Sequence, residues 1–78
     1  MNAVTASDIL KAIEKANAVN DVNALEVDKL LSDQGVDSLD FSGVLFNLEE
    51  AFNIEIPDED IDGLATINDL VQYVNNKK

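Results

Sequence analysis

Residues 35–57 decide the fold, and they read GVDSLDFSGVLFNLEEAFNIEIP. From Phe41 onward, apolar side chains recur at i, i+3, i+4, i+7 and i+11, a pattern typical of a helix with one buried face. Asp37 or Ser38 can cap the start of this helix, and Pro57 prevents its continuation. We therefore predict a helix from Asp37 or Ser38 to about Phe52. Its predicted core face consists of Phe41, Val44, Leu45, Leu48 and Phe52.

Similar spacing predicts a helix at each end of the chain. Thr5 and Asp8 have the spacing of a capping box before the first helix, and Thr66 and Asp69 repeat it before the last. The last helix should end near Asn75 or Asn76, where Lys77 and Lys78 suit its negative end. The apolar faces are Ala6, Ile9, Ile13 and Ala16 in the first helix and Ile67, Leu70, Val71 and Val74 in the last.

The remaining segments are shorter or irregular. Acidic residues favour a short helix over residues 58–63, whereas Ile54-Glu55-Ile56 alternates like a strand but is too short to build a sheet. Residues 17–37 show no sustained period, and a structureless loop of this length is unusual, so we expect it to contain a helical turn and to pack closely. The predicted fold is all-α: a small four-helix bundle with a long first loop and a short third helix, in a single domain over residues 1–78.

The chain is strongly acidic: 16 Asp and Glu residues oppose 5 basic residues, for a formal net charge of −11. Phosphate binding requires the opposite sign, so we expect no nucleic-acid partner. Basic protein surfaces are the natural complement, because the field of the acidic chain would accelerate their encounter. Self-repulsion should also leave the domain marginally stable at low salt.

The sequence contains no histidine and no cysteine. Ser-His-Asp catalysis, disulfides and zinc–thiolate sites are thereby excluded. Acidic pairs such as Glu49-Glu50 are better interpreted as solvated surface than as acid–base catalysts, so we predict a non-catalytic protein. No apolar run approaches membrane-spanning length, and no signal-like segment follows Met1. We therefore expect a complete, cytoplasmic and monomeric chain.

The predicted central helix also carries apolar residues outside its core face. At about 100° per residue, Leu39 and Phe46 lie nearly opposite that face, with Gly43 and Glu50 between or beside them. Either a partner contacts these side chains, or the long first loop folds over them. We expect at least partial exposure of Phe46 and leave both alternatives open for Leu39.

One acidic segment has the spacing of a calcium-binding EF-hand. Its candidate ligands are Asp58, Asp60, Asp62 and Asp69. Three features oppose this alternative: the closing residue is Asp rather than the usual Glu, Pro57 stands where a helix should enter, and Thr66 looks like a helix cap inside the loop. A calcium-binding module nevertheless remains an alternative function for this chain, and loose binding of divalent cations to these acids is compatible with other functions as well.

Two segments together resemble the acyl carrier protein family. The stretch GVDSLD, residues 35–40, is similar to the family's D-S-L attachment site, and LEEAFNIEIPDE, residues 48–59, is similar to its L-E-E-x-F-x-x-x-I-P-D-E segment. The resemblance implies a four-helix bundle with a minor third helix. It also implies that a separate magnesium-dependent phosphopantetheinyl transferase attaches 4′-phosphopantetheine from coenzyme A to Ser38. The terminal thiol of that arm would hold acyl chains as thioesters in fatty-acid or related lipid or polyketide synthesis.

The resemblance assigns roles to further residues. Asp37 would flank the attachment site as a helix cap. The candidates for docking the transferase and basic-surfaced acyl-transfer or synthase enzymes are Leu39, Asp40, Phe46, Glu49 and Glu50. The chain departs from the family pattern at Gln34, usually leucine, and at Gly43, usually acidic; Phe41 and Ser42 are also unusual. These departures leave the partners and the pathway open, including a specialised carrier outside housekeeping fatty-acid synthesis or an acidic adaptor derived from a carrier.

Overall fold

A computed structural model describes residues 3–19 and 21–77 of this chain. Over these residues the chain is helical, with no strand and a single isolated bridge between Leu30 and Thr66. The prediction of an all-α four-helix bundle is therefore confirmed. The helices are α1 (Ala6–Lys15), α2 (Ser38–Phe52), α3 (Asp58–Ile61) and α4 (Ile67–Lys77), and the first loop adds 3₁₀ turns at Val22–Ala24 and Ser32–Gln34.

Helices α1, α2 and α4 enclose the core. Their predicted apolar faces point inward, and a large side chain removed from water stabilises the fold by about 1.5–3 kcal/mol. Phe41 and Phe52, at the two ends of the predicted α2 face, are only half-buried. The fully buried side chains of these helices are Ile9 and Ile13 of α1, Val44 and Leu48 of α2, and Ile67, Leu70 and Val74 of α4.

Both predicted capping boxes are present. The carboxylate of Asp8 accepts a hydrogen bond from the N–H of Thr5 (3.0 Å), and the carboxylate of Asp69 accepts one from the N–H of Thr66 (3.1 Å). Helix α4 extends to Lys77, slightly beyond the predicted end, and the Lys77 ammonium lies 5.4 Å from the ring centroid of Tyr73, one turn earlier. Lys78 lies outside the described residues.

The first loop and α3 frame one side of the bundle. As expected, the loop contains helical turns and packs closely: Leu31 is buried, and its N–H donates to the carbonyl of Ala65 (2.9 Å). Helix α3 is shorter than the predicted 58–63 and has no buried residue of its own. The buried side chains of Ile56 and Leu64 anchor it from either side.

Candidate functional site

Ser38 is the first residue of α2, and its side chain is exposed. The chain reaches it through Gly35, whose φ of 95° lies in the left-handed region that favours glycine. Val36 then inserts into the core with 3% of its surface exposed. Because a buried residue and a helix cap precede Ser38 directly, the backbone of Ser38 is held in place while its hydroxyl is exposed on the surface.

The first turn of α2 is organised by Asp37 and Ser42. Asp37 caps the helix, since its Oδ1 accepts a hydrogen bond from the N–H of Asp40 (2.8 Å). The hydroxyl of Ser42 donates to the carbonyl of Ser38 (3.1 Å) and closes the same turn. The N-terminus of a helix of this length favours an anion through its free N–H groups and its dipole. A phosphodiester on the Ser38 hydroxyl therefore fits the site chemically.

A small groove of about 240 Å³ opens beside Ser38. Three chain segments build it: the end of the first loop, the start of α2, and the connection between α3 and α4. Most of the lining is apolar: Leu31, Val36, Phe41, Leu64 and Ala65, with Ser32, Asp37 and Ser38 at its polar part. A wider depression of about 900 Å³ lies along the first loop and includes no residue of α2.

The outward face of α2 is exposed as expected for Phe46, and it is exposed at Leu39 as well. Leu39 is 82% exposed and Phe46 is 60% exposed, so the first loop does not cover them. Glu50 is exposed near the end of the helix, and Asp40 is half-buried in its first turn. No basic residue occurs in α2. An apolar pair bordered by acids is thus presented to solvent.

Glu49 and Gly43 are placed differently from the prediction, which put Glu49 on a solvated surface and Gly43 on the outward side of α2. The Glu49 carboxylate accepts a hydrogen bond from the N–H of Ile56 (2.8 Å), so it joins α2 to the segment that leads into α3. Gly43 faces the end of α1, where a Cβ added to it would lie 3.6 Å from the Cβ of Ala16. The departure from the family pattern at Gly43 therefore lies where α2 approaches α1.

The acids of the EF-hand alternative are placed in different environments. Asp58 and Asp60 belong to α3, and Asp60 accepts a hydrogen bond from the hydroxyl of Tyr73 (2.6 Å). The Asp69 carboxylate caps α4 by accepting from the N–H groups of Ala65 and Thr66 (both 3.1 Å). Asp62 is the C-cap of α3. Across residues 3–19 and 21–77 no group of three or more His, Cys, Asp or Glu could hold a metal ion, so nothing supports the calcium-binding alternative.

Sequence reasoning missed the contacts that frame the site. The Gln34 side chain accepts a hydrogen bond from the N–H of Glu26 (2.7 Å) and donates to the carbonyls of Glu26 (3.1 Å) and Lys29 (3.2 Å). Partial burial and the hydrogen bond to Asp60 raise the pKa of Tyr73 to about 12. The only sequence signal at Gln34 was its departure from the usual leucine, and none marked Tyr73.

Comparison with known proteins assigns the family. Residues 4–74 match the model of the phosphopantetheine attachment site family. The chain is 41% identical over 71 residues to the acyl carrier protein of Wolinella succinogenes, covering 91% of this chain and 93% of that protein. It is 40% identical over 72 residues to the acyl carrier protein of Campylobacter jejuni strain RM1221, covering 91% and 94% of the two chains.

The chain belongs to the acyl carrier protein family, whose members bear a phosphopantetheine attachment site. Membership implies a covalently bound 4′-phosphopantetheine, which agrees with the expectation from the sequence. Within the part of the chain that the structure describes, no helix is both long enough and apolar enough to cross a membrane.

Proposed function

We propose that this chain carries acyl intermediates as thioesters on a 4′-phosphopantetheine arm attached to the Oγ of Ser38, in fatty-acid or related lipid or polyketide synthesis. The observation that carries the proposal is the position of Ser38, an exposed hydroxyl on the first turn of α2 beside an apolar groove. The names of the relatives, acyl carrier proteins, support the same assignment.

The attachment step requires a partner enzyme. The Ser38 Oγ forms a bond to the phosphorus that bears the pantetheine half of coenzyme A, the bond from that phosphorus to the nucleotide half breaks, and the hydroxyl proton passes to a base of the transferase. This chain has no histidine or cysteine to act as that base. Once attached, the arm supplies the thiol that forms the thioester. The chain itself is therefore the substrate of its partners and not a catalyst.

The residues around Ser38 perform three tasks in this proposal. Asp37 holds the first turn of α2, so that the phosphodiester lies at the positive end of the helix. The groove beside Ser38 shelters an apolar group. Leu39, Phe46 and the nearby acids Asp40 and Glu50 dock basic-surfaced enzymes, and the net charge of −11 accelerates their encounter. Glu49 contributes its charge to this face while bonded to Ile56.

Intact mass tests the attachment site. The wild type, Ser38→Ala and Ser42→Ala are each incubated with coenzyme A, magnesium and a broad-specificity phosphopantetheinyl transferase. Ser42 is the matched control, because it is also exposed and follows Ser38 by one turn. We expect one phosphopantetheine on the wild type and on Ser42→Ala, and none on Ser38→Ala. Modification of Ser38→Ala, or no modification of folded wild type beside an active control carrier, would overturn the proposal.

A further inference from the structure

The groove beside Ser38 has fixed walls on two sides. Leu31 and Leu64 are buried, and the N–H of Leu31 donates to the carbonyl of Ala65 (2.9 Å), which ties the first loop to the connection before α4. The N–H of Val36 donates to the carbonyl of Leu31 (3.1 Å) and fixes the floor next to Ser38. These walls belong to the packed core, so their spacing is set by the fold.

Phe41 forms the remaining wall. It lies three residues after Ser38, hence on the same side of α2, and it lines the groove together with the attachment serine. Unlike Leu31 and Leu64, its ring is only half-buried. Phe41 is therefore the largest groove side chain that the core does not enclose.

The size and polarity of the groove restrict what it can hold. Its volume of about 240 Å³ is below the roughly 300–1,000 Å³ of ordinary small-molecule sites. The arm contains two amides, and burying amides without hydrogen-bond partners is unfavourable. A hydrocarbon group has no such cost. The apolar lining thus suits the acyl group better than it suits the phosphopantetheine arm. The arm would bend back toward the groove to deliver that group.

We propose that Phe41 is a specificity-determining residue, whose ring limits the groove beside Ser38 to short or slender acyl groups. This inference rests on the proposed attachment of the arm to Ser38. Replacement of the ring by a smaller side chain lengthens the groove along α2 and admits longer chains. Each further methylene that becomes buried should slow attack on the thioester by up to about fourfold, from the transfer free energy of one methylene.

The test uses the full chain loaded with acyl-pantetheine groups of increasing length from the corresponding acyl-coenzyme A. Thioester lifetime in hydroxylamine is measured for the wild type, Phe41→Ala and Phe41→Leu. Phe52→Ala is the matched control, because Phe52 is the other half-buried phenylalanine at an end of α2 and lies outside this groove. Circular dichroism verifies folding, and Phe41→Leu keeps the test valid if Phe41→Ala does not fold.

We expect the wild type to protect short groups best, Phe41→Leu to shift maximal protection to longer groups, Phe41→Ala to shift it further, and Phe52→Ala to keep the wild-type profile. If the Phe41 variants keep the wild-type profile, or if Phe52→Ala shifts it equally, the proposed role of Phe41 is overturned while the proposed function stands. A change that is identical for every acyl group and for the unacylated arm likewise overturns that role. A folded chain that accepts no acyl-pantetheine on Ser38 overturns the proposed function as well.

Discussion

The core side of the bundle and the frame around Ser38 are stabilised in different ways. Helices α1, α2 and α4 meet through buried aliphatic side chains, and no polar or charged residue is buried among the described residues. The first loop and α3 reach this core only through single buried residues such as Leu31, Ile56 and Leu64. They are fastened in addition by side-chain hydrogen bonds of Gln34, Glu49 and Tyr73. Such bonds contribute about 1 kcal/mol each. The comparison indicates that the hydrogen-bonded parts of the first loop and α3 open more readily than the core, whereas buried Leu31 and Leu64 keep the walls of the groove in place.

The largest expected effect is in the core. Leu48→Ala should lower the free energy of unfolding by about 2–5 kcal/mol, because it leaves a cavity under a fully buried side chain. In a domain this small, that loss would leave a substantial unfolded population. Urea denaturation followed by circular dichroism measures it. Leu39→Ala is the control: at 82% exposure it should change stability by less than about 0.5 kcal/mol, and equal losses would contradict the comparison.

The next effect is in the first loop. Gln34→Ala removes an acceptor for the Glu26 N–H and a donor shared by the carbonyls of Glu26, Lys29 and Leu30. We therefore expect the free energy of unfolding to fall by about 1–2 kcal/mol. Hydrogen exchange should accelerate at the Glu26 amide before it does so in the core. Gln72→Ala, an exposed glutamine within α4, should leave exchange at Glu26 unchanged. Uniform acceleration across all helices would mean that the loop and the core unfold together.

The contact between α3 and α4 predicts a dependence on pH. The pKa of Tyr73 is raised to about 12 from a usual value near 10. The protonated Tyr73 hydroxyl therefore makes its full contribution to the free energy of unfolding below about pH 10, and this contribution is lost as the pH rises through about 12. Tyr73→Phe should remove this part of the loss of stability at alkaline pH, and it should lower the free energy of unfolding by about 1 kcal/mol at neutral pH.

Ultraviolet absorbance can follow this ionisation directly, because the chain has one tyrosine and no tryptophan. Asp60→Asn should lower the pKa of Tyr73 toward 10, since it removes the carboxylate that favours the protonated hydroxyl. An unchanged titration in Asp60→Asn would show that the hydrogen bond does not hold α3 to α4 in solution.

The smallest effects come from two glycines, one in each region. Gly43→Ala should stabilise the protein by about 0.5–1 kcal/mol, because glycine is unfavourable within a helix. The new Cβ would meet Ala16 at 3.6 Å, an ordinary contact. Gly35→Ala should destabilise it although the space there is open, because φ is 95°. Thermal denaturation of both variants gives the signs, and destabilisation by Gly43→Ala would mean that α1 and α2 approach more closely than described.

The sequence predicted the core side well, because burial leaves a periodic signal. The spacing of Ile9 and Ile13, or of Leu70 and Val74, indicates a helix face whatever it packs against. The capping boxes that begin at Thr5 and Thr66 were predictable for a similar reason, because each joins residues only three positions apart in the sequence. The exposure of Phe46 followed from the same geometry, since Phe46 lies opposite the core face of α2. The same argument was wrong for Gly43, because the end of α1 approaches α2 there.

The frame could not be predicted in the same way. Tyr73 and Asp60 are 13 residues apart, and Gln34 bonds to a residue 8 positions earlier, so no period relates the partners. Glu49 looked like a surface acid because its neighbours are acidic, yet it bonds to the N–H of Ile56. The groove was also hidden, because its walls come from three segments that are separated in the sequence.

That construction separates the presentation of Ser38 from the shelter of its cargo. The hydrogen bonds that position the backbone around Ser38 lie within residues 31–42, whereas the groove also needs Leu64 from the connection before α4. Under the proposed function, substitutions at Leu64 would therefore alter the cargo preference without disturbing the surface that presents Ser38 to a transferase. Conversely, an excised peptide containing only the first turns of α2 could keep the acceptor serine but would lose the shelter.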